Sequence, residues 1–202
     1  MNISAEVIIR EIAGGFAPGT DREIVGRLAQ PGDTFLDTHQ TYNWYYAIGA
    51  CYEPRGIMEI GVRYGYSLLA MAKGARLRDP EALIVLHGID NEADGVESNA
   101  IAAHGIMAET GVAPIIMRKS STESLSSPFI NTIRFDIVHV DGDHSPEGVE
   151  TELTIAQRLV RKGGIILVDD MDTPHIAEAA KRRFGKWIEF PTIHRLALIE
   201  VD

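Results

Sequence analysis

Apolar and polar positions alternate along the chain in short blocks whose period switches repeatedly between that of a helix and that of a strand. Ile3, Val7, Ile8 and Ile12 recur at helical spacing up to Gly14 and Gly15, which predicts a short amphipathic helix. A second helix is expected from Asp21 through Ile24, Val25 and Leu28 to the Pro31-Gly32 turn. A third, capped by Asp37 or Thr38, carries Tyr42, Trp44, Tyr45 and Tyr46 to about Cys51. Its ring density suits a helix packed on a sheet edge and well placed to cover a neighbouring site.

Strands follow at regular intervals. Ile57, Met58 and Ile60 read as a short buried strand, broken by Gly61 and Gly65 before a helix over 66–78. Leu83 to Asp90 is a second apolar strand, Ser98 to Gly111 a helix, and Ala113 to Met117 a third strand. Arg134 to Val140 is a fourth, followed by a helix that opens at Pro146 and closes at Gly163-Gly164. Ile165 to Val168 is a fifth, Pro174 to Phe184 a helix, and Trp187 to Phe190 with Thr192 to Val201 an antiparallel pair around Pro191. Strands followed by helices, five times over, imply a parallel sheet with right-handed crossovers and helices on both faces. The polar punctuation falls at the carboxyl ends of the strands, the edge where open α/β sheets bind ligands.

A chain of 202 residues, 45% hydrophobic and 24% charged, suits one soluble domain, with 1–52 as accessory helices and 53–202 as the core. With 19 basic and 29 acidic side chains the net charge is −10, and no basic stripe extends beyond Lys181-Arg182-Arg183, which argues against a nucleic-acid partner. Cys51 has no partner for an intrachain disulfide and reads as a small buried hydrophobe. No stretch approaches membrane-spanning length and the start lacks a signal pattern, so a cytoplasmic protein without a membrane partner is expected.

Two groups of residues carry candidate chemistry. In the first, Glu59, Gly61, Gly65 and Ser67 form a strand-end acid, a turn tolerant of φ > 0 and a residue able to cap the next helix; the glycines also let a ligand approach. Asp90, at the end of the second strand, can accept hydrogen bonds from both hydroxyls of a ribose. Ser120 and Ser121 suit either an adenine edge or the N-cap of a short helix ending its first turn at Glu123. The glycine spacing differs from the G-x-G-x-x-G of dinucleotide sites, which makes NAD-dependent oxidation the least favoured activity. In the second group, Asp141, Asp169 and Asp170 converge if the fourth and fifth strands are neighbours, and carboxylates brought together call for a cation. Oxygen ligands favour a hard ion such as Mg2+ or Ca2+, of which Mg2+ would keep positions open for water and substrate oxygens.

Taken together, Glu59-Ile60-Gly61 with Gly65 and Ser67, Gly88-Ile89-Asp90, Val140-Asp141-Gly142-Asp143-His144-Ser145, and Gly163-Gly164 through Asp169-Asp170 resemble the successive motifs of class I S-adenosylmethionine (SAM) dependent methyltransferases. The resemblance is to the group of metal-dependent sugar and natural-product O-methyltransferases and runs from about Tyr42 to the C-terminus. It implies a Rossmann-like, doubly wound, mostly parallel seven-stranded sheet with an antiparallel C-terminal strand pair and N-terminal accessory helices. It also implies that Glu59, Gly61 and Ser67 surround the methionine part of SAM, that Asp90 holds the ribose, and that Asp141, Asp169 and Asp170 are metal ligands. Asp141 would also border the cofactor. His144, three residues after Asp141, takes the place of a catalytic base, with Asp143 as the second candidate.

The expected activity is methyl transfer to a hydroxyl of a small-molecule acceptor, by a monomer or a homodimer joined through the aromatic N-terminal region. The rivals are a metal-independent methyltransferase acting on an amine or carboxylate and a scaffold that holds SAM or a nucleotide without turnover. Asp141-Gly142-Asp143-His144 stands where amine-directed enzymes often carry an Asn/Asp-Pro-Pro-aromatic motif.

Overall fold

The computed structural model describes residues 4–16, 40–128 and 132–202. The second helix expected from the sequence, and the Asp37 or Thr38 cap of the third, lie outside these residues. The described elements run α1 (Ala5–Gly14), α2 (Thr41–Tyr52), β1 (Gly56–Ile60), α3 (Tyr66–Ala75), β2 (Val85–Asp90), α4 (Ser98–Thr110), β3 (Ile115–Arg118) and α5 (Ser121–Leu125). They continue as β4 (Phe135–Val140), α6 (Pro146–Leu159), β5 (Val160–Val168), α7 (Pro174–Phe184), β6 (Ile188–Phe190) and β7 (Leu196–Glu200).

The seven strands form one sheet in the order β3-β2-β1-β4-β5-β7-β6. The first five are parallel, whereas β7 runs antiparallel to both β5 and β6. This is the doubly wound, mostly parallel arrangement expected from the repeated strand-helix pattern.

Strand alternation divides the core in two. Ile57, Ile137, Ile165 and Leu167 face α2 and α3, packing with Leu68, Leu69 and Met71, while Met58, Val138, Val140 and Ile166 face α6 and α7 and pack on Leu153, Ala156 and Ile176. Glu59 shares its face with Ile57, and His139 with Ile137. Two ionisable side chains are thereby buried on the α2 side, opposite one another in the β1–β4 register.

Several boundaries differ from those expected. The fifth strand begins at Val160 and runs through the glycines at 163–164, because Gly163 at φ 70 turns the chain without ending its pairing. β7 starts only at Leu196, since Arg195 at φ 61 closes a turn longer than one around Pro191 alone. Leu83 is 86% exposed and precedes β2. Cys51 is partly rather than fully buried. On α2, Tyr45 is buried, while Trp44 and Tyr46 are half-buried against the chain's own core, Trp44 beside Phe190 and Tyr46 edge-on to Phe16.

Candidate active site

A cleft of about 1010 Å³ opens at the carboxyl ends of β1, β2, β4 and β5. Its floor is the Gly61–Gly65 turn between β1 and α3. Gly61 sits at φ 85, and a Cβ there would lie 1.9 Å from the Asp141 carbonyl oxygen, so the missing side chain is replaced by the backbone of the β4–α6 loop. Gly65, at φ 74, is pressed against Ala102 of α4 in the same way. These glycines serve the chain's own packing as well as ligand approach, and by doing so bring Asp141 beside the turn.

Asp90, Ser67, Ser120, Ser121 and Asp141 line the cleft with both glycines. The Asp90 carboxylate accepts the Arg63 amide at 2.7 Å through Oδ2 and the Glu92 amide at 2.6 Å through Oδ1, which fixes its plane and leaves each oxygen a further lone pair.

Three expected contacts take another form. Ser67 does not cap α3, whose N-cap is Gly65; its hydroxyl donates to Glu59 Oε1. Glu59 lies beneath the cleft and does not line it, because its place on β1 turns the carboxylate toward His139. Ser120 is the N-cap of α5 in a full capping box with Glu123, and the Ser121 hydroxyl donates to Glu152 Oε1 at 2.6 Å. The serine hydroxyls are thus committed to protein partners rather than to an adenine edge.

Adjacency of β4 and β5 brings the aspartates together, with Val140 opposite Val168 and the Asp169 amide donating to the Val140 carbonyl at 3.1 Å. They divide into two sets that share Asp141: Asp141 and Asp169 with His139, and Asp141 and Asp170 with His144, the ligand atoms of each set lying within 4.8 Å of one another. Asp169 continues the α2-facing side of β5 just past its last residue, whereas Asp170 follows at φ 56, in the left-handed region, where the strand has ended. Asp169 Oδ2 accepts the Tyr45 hydroxyl at 2.9 Å, while Asp169 Oδ1 is buried with no hydrogen-bond partner. His144 Nε2 is 3.7 Å from Asp141 Oδ1 and 2.8 Å from Asp170 Oδ2.

The charges follow this geometry. Burial and the neighbouring Asp141 push the Asp169 carboxyl up to about 7. Asp141 and Asp170 raise His144 to about 10 against partial burial, so as placed here the ring is a cation. In turn its charge holds Asp170 below the usual carboxylate range although burial acts the other way. For His139, burial is outweighed by the hydrogen bond to Glu59 and by the Glu59, Asp141 and Asp169 charges, giving about 9.

A divalent cation is implied by the sequence resemblance, and the residues present fit one. Carboxylate oxygens dominate the donor set, and the orphaned Oδ1 of Asp169 calls for a positive partner.

Sequence reasoning missed Tyr45, His139 and Glu152. His139 is signalled by a polar residue inside an apolar strand, and Glu152 by an acid on the apolar stripe of α6, between Val149 and Leu153. Glu152 is buried, accepts the Asp143 amide at 2.8 Å, and has its pKa pushed up to about 7 chiefly by that burial.

Comparison with known proteins agrees with this fold and cleft. The family model described as a methyltransferase domain matches residues 58–171, more than half of the chain. The chain therefore belongs to that methyltransferase family. A search of curated proteins finds no match.

Among solved structures, the O-methyltransferase from Bacillus cereus in complex with S-adenosylhomocysteine (SAH) is 14% identical, with a TM-score of 0.61 over 98% of this chain and 100% of that one. The SAM-bound O-methyltransferase TomG from Streptomyces achromogenes is 20% identical, with a TM-score of 0.56 over 100% and 92%. The TDP-rhamnose 3'-O-methyltransferase of calicheamicin biosynthesis is 17% identical, with a TM-score of 0.60 over 99% and 96%. Among the described residues no helix is long and apolar enough to cross a membrane.

Proposed function

We propose that this protein transfers a methyl group from SAM to a hydroxyl of a small-molecule acceptor, assisted by a divalent cation such as Mg2+ held by Asp141, Asp169 and Asp170. The observation that carries the reading is the meeting, in one cleft, of the glycine turn and Asp90 with the Asp141–Asp169–Asp170 and His144 cluster. The similar structures, O-methyltransferases bound to SAM or SAH, support it.

In this reading the Asp90 carboxylate, held by two backbone amides, receives the ribose hydroxyls, and the Gly61–Gly65 turn receives the methionine end of SAM. The cleft brings acceptor and cofactor together, which makes the step effectively unimolecular. As the acceptor oxygen bonds to the methyl carbon, the carbon–sulfur bond breaks in line, SAH leaves, and the hydroxyl proton passes to the protein. The cation, when bound, supplies positive charge that lowers the hydroxyl pKa. His144 takes the proton at Nε2 as a neutral ring, the form open to it where Asp141 and Asp170 no longer hold its own proton. Asp143 is the second candidate; its Oδ1 accepts the Ser145 amide at 2.9 Å, which anchors it at the cleft wall.

One observation favours a second reading, transfer without a metal: the His144 cation already balances Asp141 and Asp170. Incubation with methyl-labelled SAM and a panel of hydroxylated metabolites, amines and carboxylates, with Mg2+ or with EDTA, tests both. Transfer abolished by EDTA supports the first reading. Transfer indifferent to EDTA supports the second, and SAM binding without transfer to any hydroxyl, amine or carboxylate acceptor would leave a scaffold.

A further inference from the structure

Beneath the cleft runs a chain of hydrogen bonds that joins its two ends. Ser67 on α3 donates to Glu59 Oε1 on β1, and His139 Nδ1 on β4 lies 2.7 Å from the same oxygen. On the far side of the ring, His139 Nε2 is 3.3 Å from the Tyr45 hydroxyl, which donates to Asp169 Oδ2. Ser67, Glu59, His139 and Tyr45 are all buried.

Counting protons fixes the direction of this chain. A phenol has one proton, and Tyr45 gives it to Asp169, so His139 Nε2 must be the N–H that the phenol oxygen accepts. The imidazole is set in that orientation by Glu59, and Glu59 by Ser67. Tyr45 is therefore held from behind and aimed at one oxygen of Asp169, while the other oxygen, Oδ1, is left buried with no donor. A group that only packed the core would need the ring of Tyr45 and not its hydroxyl.

We propose that Tyr45 is a positioning residue, whose hydroxyl, oriented by the Glu59–His139 pair, fixes the Asp169 carboxylate so that Oδ1 stays free for a divalent cation shared with Asp141. This rests on the metal-assisted reading above. Groups that orient a ligand from behind commonly change metal affinity 10- to 100-fold when removed, even though they never touch the ion.

The test is Mn2+ affinity, from the electron paramagnetic resonance signal of the free ion, measured beside SAM affinity by calorimetry in the wild type and in Tyr45→Phe. The inference expects Mn2+ binding weakened by about tenfold and SAM affinity unchanged within about twofold. Equal Mn2+ affinity in the two proteins overturns it, as does a parallel loss of both affinities, which would mark Tyr45 as structural only. A wild-type protein that binds no Mn2+ contradicts the metal-assisted reading itself and the inference with it. Should Tyr45→Phe not fold, His139→Gln, which releases the phenol from behind, carries the same comparison with the same expected split.

Discussion

Glu59 and His139 meet at 2.7 Å across the β1–β4 register, both out of reach of solvent. Burial pushes the Glu59 carboxyl up while the hydrogen bond and charge of His139 pull it back, so removing the ring leaves Glu59 uncompensated in a medium that solvates it poorly, which costs about 3–5 kcal/mol. His139→Leu should therefore lower the unfolding free energy by about that amount. Urea denaturation measures it, and a loss under about 1 kcal/mol would contradict the paired state.

Asp90 is the expected ribose ligand, and its carboxylate plane is fixed by two amides. Losing charged hydrogen bonds to both hydroxyls should cost about 2–4 kcal/mol, so Asp90→Ala should weaken SAM binding by roughly thirtyfold or more. Calorimetry on the folded variant decides it; an unchanged affinity would remove Asp90 from the cofactor site.

Glu152 gives the stability a pH dependence. Its carboxyl is raised from 4.5 to about 7 in the folded protein, so between those values the native state binds the proton more tightly than the unfolded chain. Its contribution is fully present below pH 4.5 and is lost as pH rises through 7. Glu152→Gln keeps an oxygen for Ser121 and the Asp143 amide but carries no charge, so above pH 7 it should be more stable than the wild type by up to about 3 kcal/mol. At pH 4.5 the two should be alike. Thermal melts at both pH values check this, and a variant less stable at pH 8 would show that the charge is needed.

His144→Ala should lower kcat by about 100- to 10,000-fold, with SAM affinity little changed, if the ring is the base. The wild-type rate should rise with pH along an acidic limb that is absent in the variant. A variant with wild-type kcat and the same limb would pass the role to Asp143.

The strand-helix alternation was readable because four of the five parallel strands are short apolar runs closed by Gly or Asp, as in Ile57 to Gly61 and Leu86 to Asp90. The convergence of Asp141 and Asp169 could be read only on the assumption that β4 and β5 are neighbours, since apolar pattern carries no information about pairing. The same limit hid the Tyr45–Asp169 contact, which spans 124 positions of chain. Glu59 and Ser67 were picked out by spacing, but their mutual hydrogen bond depends on which face of β1 the acid takes, and one residue of register reverses that. Ser120 was legible as a cap because capping is local, whereas Glu152 stands on the apolar stripe of α6 and its contacts with Ser121 and the Asp143 amide depend on how that helix docks on the sheet.

Metal-assisted transfer from SAM to a hydroxyl is tested most directly by following labelled methyl from SAM into a hydroxylated acceptor pool in Mg2+ and in excess EDTA, for the wild type and Asp169→Asn. Label should enter the acceptor with Mg2+, be lost in EDTA and return when Mg2+ is restored, and Asp169→Asn should transfer little even though it still binds SAM. Undiminished transfer in EDTA and by Asp169→Asn would contradict metal assistance.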